Sequence, residues 1–171
     1  MGIAERLSGG DPRSLGPVEE VVDCALGDPD RLHELFCCLF VDDPIVRMRA
    51  ADGLEKVARR QPDLLVPYVD RLLAEVSAIE QPSVQWHLAQ ILGEVPLTTG
   101  QRRRAVKILK RNVEHSDDWI VLNLTMESLA GFAQDDAELR HWLLPVLRRR
   151  LADRRKSVAK RASRLLEQLR Q

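Results

Sequence analysis

Apolar residues recur along this chain on two scales. Within helix-length windows they fall at i, i+4 and i+8, and the same set then returns after a nearly constant interval. Val46, Val84, Val121 and Val158 stand 38, 37 and 37 residues apart, and eight positions after each is a leucine: Leu54, Leu92, Leu129 and Leu166. Ala50, Leu88, Thr125 and Ala162 lie four positions after each valine. At about 100° per residue these sites, extended by Val57, Val95, Phe132 and Leu169, share one arc about 80° wide. A period of this size predicts stacked helix pairs, because one pair alone cannot bury such a stripe.

Breaker residues divide the chain into about nine predicted helices, near residues 18–26, 29–41, 45–60, 61–79, 81–95, 101–114, 118–133, 138–152 and 156–171. Asp28-Pro29 and Asp42-Asp43-Pro44 are start signals, with an Asp cap and a proline where its missing N–H costs nothing. No stretch alternates with period two, so no sheet is expected.

Composition fits one soluble helical domain. Hydrophobic residues make up 44% and charged residues 30% of the 171, too apolar for disorder and too charged for a membrane protein. Aromatics are 4%, so the core must be aliphatic. The start, MGIAERLSGG, carries no apolar signal region, and Cys24, Cys37 and Cys38 do not form a disulfide framework; a cytoplasmic location is expected. The net charge of zero hides an asymmetry: residues 1–99 carry 9 Lys+Arg against 17 Asp+Glu, a net of −8, and residues 100–171 carry 17 against 9, a net of +8. That difference allows head-to-tail self-association or two different partners, or reflects nothing more than solvated ends.

The stretch from Leu143-Leu144-Pro145 to Asp153, with Val158 and Ala162, resembles the HEAT-type helical repeat: an A helix with an internal proline, an Asp near the turn, then a valine and a small residue in helix B. Asp42, Asp43, Val46-Arg47, Ala50 and Leu54 match its second half. Pro67 holds the proline position of another repeat, though four residues farther from its valine than Pro145 is. The arginine of the family pattern stands only at Arg47; its equivalents are Gln85, Leu122 and Ala159. The resemblance implies an all-α, right-handed α-α superhelix (solenoid) of about four HEAT-type helix pairs plus an N-terminal capping helix. It spans residues 16–171, behind an N-terminal extension, residues 1–15, expected to be flexible.

The resemblance also implies that the B helices line a concave groove. Opposite the apolar stripe, at about 200–240°, sit two ladders. One is Met48, Trp86, Asn123 and Lys160; the other is Asp52, Gln90, Glu127 and Arg164. Trp86 is the candidate anchor, since an aromatic on a polar face is typical of binding sites; the alternative is packing on a neighbouring helix. Trp119 at a helix start reads as a hydrophobic staple, and Trp142 as core.

Catalytic chemistry finds little support. Cys24, His33 and Cys37 lack metal-ligand spacing, no nucleophile elbow or phosphate loop occurs, and no catalytic residue, metal or cofactor is assigned. The enzyme question stays open on one condition: two carboxylates or a His–carboxylate pair converging beside Trp86 would reopen it. Arg148, Arg149, Arg150, Arg154, Arg155 and Lys156 form a candidate phosphate-binding cluster. The reading is a scaffold or adaptor that binds a protein segment in the groove. The alternative is nucleic-acid binding through the basic C-terminal repeat, including a HEAT-like DNA glycosylase, and no membrane association is expected.

Overall fold

A computed structural model describes residues 2–11 and 14–170. The apolar ladder is buried throughout: the four valines, the four residues at i+4 and the four leucines at i+8 are each at most 5% exposed. The helices that carry them are α4 (Pro44–Arg60), α6 (Pro82–Glu94), α8 (Trp119–Phe132) and α10 (Lys156–Gln168). Each packs on the one before it, and α2 (Val18–Gly27) packs on α4, so these five form one row. Against the row lie α3 (Pro29–Cys37), α5 (Val69–Ala74), α7 (Thr99–His115) and α9 (Ala137–Arg150). No strand occurs among the described residues, and no helix is long and apolar enough to cross a membrane.

The starts follow the capping chemistry of the sequence. The carboxylates of Asp28, Asp43, Asp118 and Asp136 accept backbone N–H groups of α3, α4, α8 and α9, and Thr98 with Gln101 forms a capping box on α7. The predicted helix at 61–79 is broken. Residues Pro62–Tyr68 and Val76–Ala78 are 3-10 turns on either side of the six-residue α5. Pro67 lies inside the first turn, where its ring and missing N–H disfavour α-helix.

Within residues 1–15, Met1, Pro12 and Arg13 lie outside the described residues, and two of the others, Ile3 and Leu7, are buried. Ile3–Leu7 forms a short helix, α1, with Ile3 1% and Leu7 0% exposed. Glu34 of α3 accepts the Ile3 N–H at 2.6 Å. Arg49 of α4, itself 2% exposed, donates to the carbonyls of Leu7 (2.8 Å), Gly9 (2.7 Å), Asp11 (2.9 Å) and Ser14 (3.0 Å). Gly9 and Gly10 sit at φ 67° and 73°, a left-handed turn that folds this stretch around the guanidinium.

Side chains also tie positions about one period apart. Arg47 donates to Gln81 at 2.7 Å, 34 residues on; Arg150 donates to the Val113 carbonyl at 2.6 Å, 37 residues back; Ser128 donates to the Ala89 carbonyl at 2.7 Å, 39 residues back. Gln85, standing where the repeat pattern has arginine, donates to the Ile79 carbonyl at 2.7 Å and accepts from Asn112 at 3.0 Å. Asp153 is the tightest such hub. It accepts the Arg155 backbone N–H (3.0 Å) and Arg155 Nε (2.8 Å) on one oxygen, and Arg155 Nη2 (2.9 Å) and Arg150 (3.3 Å) on the other.

Those guanidinium and backbone bonds, Arg155 foremost, hold the Asp153 carboxyl well below the usual carboxylate range. A depressed folded pKa means the stabilisation is fully present above the unfolded value of about 4 and is lost as pH falls through the folded value. Asp153→Asn should therefore cost about 1–3 kcal/mol near neutrality. The gap between the two proteins should close as pH drops below about 4. Thermal melts from pH 7 to pH 2 read this directly, and a pH-independent gap would rule out the charge as the cause.

Candidate functional site

The eight predicted groove residues divide by where helix rotation sends them. On α6, Trp86 is half-buried and Gln90, one turn on, is half-buried with its amide 3.5 Å from Glu55 of α4. Met48 is half-buried, and Lys160 and Arg164 are exposed. Asp52 and Asn123 are not on an open face: they are 7% and 5% exposed. For Asp52 the reason is geometric. The sixth residue after each ladder valine points toward the third residue of the next helix in the row. Asp52 thus meets His87, and Glu127 meets Arg161, with Arg164 adding a second bond to the same carboxylate. Burial raises the Glu127 carboxyl and the two guanidiniums more than offset that, leaving it below its ordinary range.

A His–carboxylate pair therefore does exist beside Trp86, whose ring centroid lies 5.7 Å from that of His87. Its geometry is that of a floor contact. His87 Nε2 is 3.9 Å from Asp52 Oδ1, while the other Asp52 oxygen takes Lys56 at 2.6 Å. His87 is 8% exposed, its Nδ1 has no hydrogen-bond partner among the described residues, and burial pushes its pKa down. The nearby Ser83 hydroxyl instead accepts from Gln81 at 2.7 Å. A general base must reach a substrate proton, and this imidazole is covered.

Beyond Gln90, the same face opens into a cavity of about 420 Å³ lined by Gly93, Glu94, Leu124, Glu127, Phe132 and Gln168, among others. Trp86, Gln90 and Glu94 stand at i, i+4 and i+8 on α6, so anchor and cavity lie along one line of a single helix, about 12 Å end to end. A second cavity, about 810 Å³, opens where the turn before α6 stands off the end of α7; Ile79, Pro82, Gln85, Arg111, His115 and Val121 line it. It coincides with the longer spacing between Pro67 and Val84. Of the period-aligned groove positions, Gln90 and Glu127 line the first cavity and none lines the second.

The predicted phosphate cluster also divides. Arg150 and Arg155 are consumed by Asp153 and by the carbonyls of Val113 and Asp117. Arg148, Arg149, Arg154 and Lys156 are exposed, and their side chains make no hydrogen bond or ion pair among the described residues. The same holds for Arg103, Lys107, Lys160 and Arg170. In contrast, every described Lys and Arg of residues 1–99 has a partner: Arg6, Arg31, Arg47, Arg49, Lys56, Arg59, Arg60 and Arg71. The charge asymmetry of the sequence is sharper in three dimensions.

Trp119 is 49% exposed and is no staple, whereas Trp142 is half-buried against the core with Lys110 Nζ 4.3 Å above its ring. His33 Nε2 lies 3.6 Å from Cys37 Sγ, with no group of three His, Cys, Asp or Glu placed to hold a metal among the described residues.

No family model matches the chain, and no curated protein matches it. Among solved structures it is similar to an engineered protein, a Northeast Structural Genomics Consortium crystal structure, with a TM-score of 0.61 and 19% identity over 99% of this chain. The chain spans 47% of that protein's length, and a likeness at this identity shows the fold alone.

Proposed function

We propose that the row of B helices is the inner wall of a HEAT-type α-α superhelix of about four repeats. The protein is a cytoplasmic, non-catalytic scaffold or adaptor whose groove takes a protein segment. The near-constant spacing of the ladder and the ties between positions one period apart support the repeat reading. One observation carries the functional reading: Trp86 is only half-buried, in line along α6 with Gln90 and Glu94, which line the cavity. An aromatic anchor beside a cavity is the arrangement that concentrates binding energy in protein interfaces. Charge supports a peptide over a phosphate backbone here, because Arg161 and Arg164 are both already engaged by Glu127.

Selection of displayed peptides against the wild-type protein, with Trp86→Ala as the counter-target, tests the reading. Selected segments should bind the wild type and lose more than about 1 kcal/mol on Trp86→Ala, while the two proteins melt alike. Loss of folding in Trp86→Ala with no separable loss of binding makes Trp86 a packing residue and ends the proposal. Nucleic-acid binding by the C-terminal repeat is a second reading, favoured by the unpartnered cations of residues 100–171. Head-to-tail self-association rests on charge asymmetry alone.

A further inference from the structure

The α9–α10 corner combines two features that the groove does not. Arg148 and Arg149 end α9, and Arg154 and Lys156 flank the start of α10, all exposed and all without an internal partner. Next to them stands Trp119, 49% exposed. Trp119 and Lys156 each hold the first position of their helix, 37 residues apart, on neighbours that pack together. Arg155 bridges the two helix starts by donating to the Asp117 carbonyl. The two helix starts are thus about one interhelical spacing, roughly 8–10 Å, apart.

The cations here also oppose the helix dipole. Where Asp43 and Asp118 cap α4 and α8, the period places Arg155, whose side chain makes no capping bond to α10. With Arg155 paired to Asp153, Arg154 and Lys156 still bring two unpartnered cations to the positive end of a helix, an arrangement that a bound anion relieves. The exposed acids nearby, Glu114 and Asp117, leave the corner with an excess of positive charge.

We infer that this corner binds single-stranded nucleic acid, one base stacking on Trp119 and the flanking phosphates contacting Lys156, Arg154 and the end of α9. Stacking on an exposed aromatic beside a line of cations is the general device for holding unpaired strands, because every base has a π-face. A duplex offers the phosphates but keeps its bases stacked inward. An acidic polypeptide offers charge but no planar rings. This surface is separate from the Trp86 face and does not rest on the groove reading.

The test uses the full chain with Trp86→Phe and Trp142→Phe, which leaves Trp119 as the sole indole, after circular dichroism shows the helices intact. A mixed-sequence single-stranded 12-mer should quench Trp119 emission. Its affinity should weaken with salt at a log–log slope of about −2 to −3, as expected for three or four phosphate contacts. Arg154→Glu with Lys156→Glu should lower affinity at least tenfold. Read by the anisotropy of a fluorescently labelled 12-mer, Trp119→Ala should lower affinity about tenfold, and Trp119→Phe should restore most of the loss. No binding at low salt overturns the inference. So does binding that is indifferent to Trp119→Ala, or equally tight binding of the matching duplex or of polyglutamate.

Discussion

Arg49→Ala should destabilise the protein by about 3–5 kcal/mol, because one buried guanidinium supplies charged hydrogen bonds to four backbone carbonyls. For a chain of this length that is a fall in Tm of roughly 10 °C. The damage should be local as well as global. Without the donor, the carbonyls of Leu7, Gly9, Asp11 and Ser14 regain partners only by turning to water. That movement strips Ile3 and Leu7, now 1% and 0% exposed, from α3 and α4. Limited proteolysis should then cut within the first fifteen residues of the variant and spare them in the wild type. Arg49→Met separates charge from packing: it keeps much of the aliphatic stem but none of the donors. A methionine variant as stable as the wild type would show that the clamp acts by filling space.

Leu92→Ala should cost about 2–5 kcal/mol by opening a cavity at a site with no room to relax. Leu92 is 0% exposed and belongs to the larger hydrophobic cluster, which α6 joins to the second through Ala89. A control at Leu151, 46% exposed in the α9–α10 turn, should change stability by less than about 0.5 kcal/mol. Urea denaturation followed by both circular dichroism and tryptophan fluorescence distinguishes the outcomes. Coincident transitions shifted to lower urea support one cooperative core. A Leu92→Ala midpoint equal to wild type would remove Leu92 from the core. Separated transitions would show that the two clusters unfold independently, as weakly coupled repeats do.

These two residues also mark what a linear reading reaches. Leu92 was legible because its burial is periodic: the 37-residue interval and the i, i+4, i+8 spacing place it with Leu54, Leu129 and Leu166, and all four are buried. The Asp-capped starts of α3 and α4 were legible because capping is a contact within three residues. Arg49 was not legible. Its acceptors lie 35 to 42 residues earlier in a Gly-rich stretch, and nothing local distinguishes that stretch from a mobile tail. The break at 62–78 was hidden for another reason. Leu65, Val69, Leu72, Leu73 and Val76 are buried whether the backbone turns as α or 3-10 helix, so periodicity does not separate the two.

The candidate surfaces divide the same way. A helical wheel placed Trp86 and Gln90 opposite the apolar stripe of α6, and both are half-buried there. It placed Asp52 and Asn123 there too, because it treats a helix as isolated; both are buried, Asp52 against His87 of the next helix in the row. The pairing was open to a closer reading, since setting each helix's third ladder residue against the sixth of the one before puts Arg161 beside Glu127 and His87 beside Asp52. Charge counts found the basic end of the chain but could not separate Arg150 and Arg155, which hold the α9–α10 turn together, from Arg148, Arg149, Arg154 and Lys156, which hold nothing within it. Only partner geometry separates structural arginines from available ones.

The most direct test of the groove reading is an amide and indole NMR titration of the labelled protein with a selected segment. The account predicts the largest shifts at the Trp86 indole and at the amides of Gln90, Gly93, Glu94 and Leu124, with residues 148–156 unmoved. Shifts centred on the α9–α10 corner, or on the outer sides of α5, α7 and α9 with Trp86 silent, would contradict it.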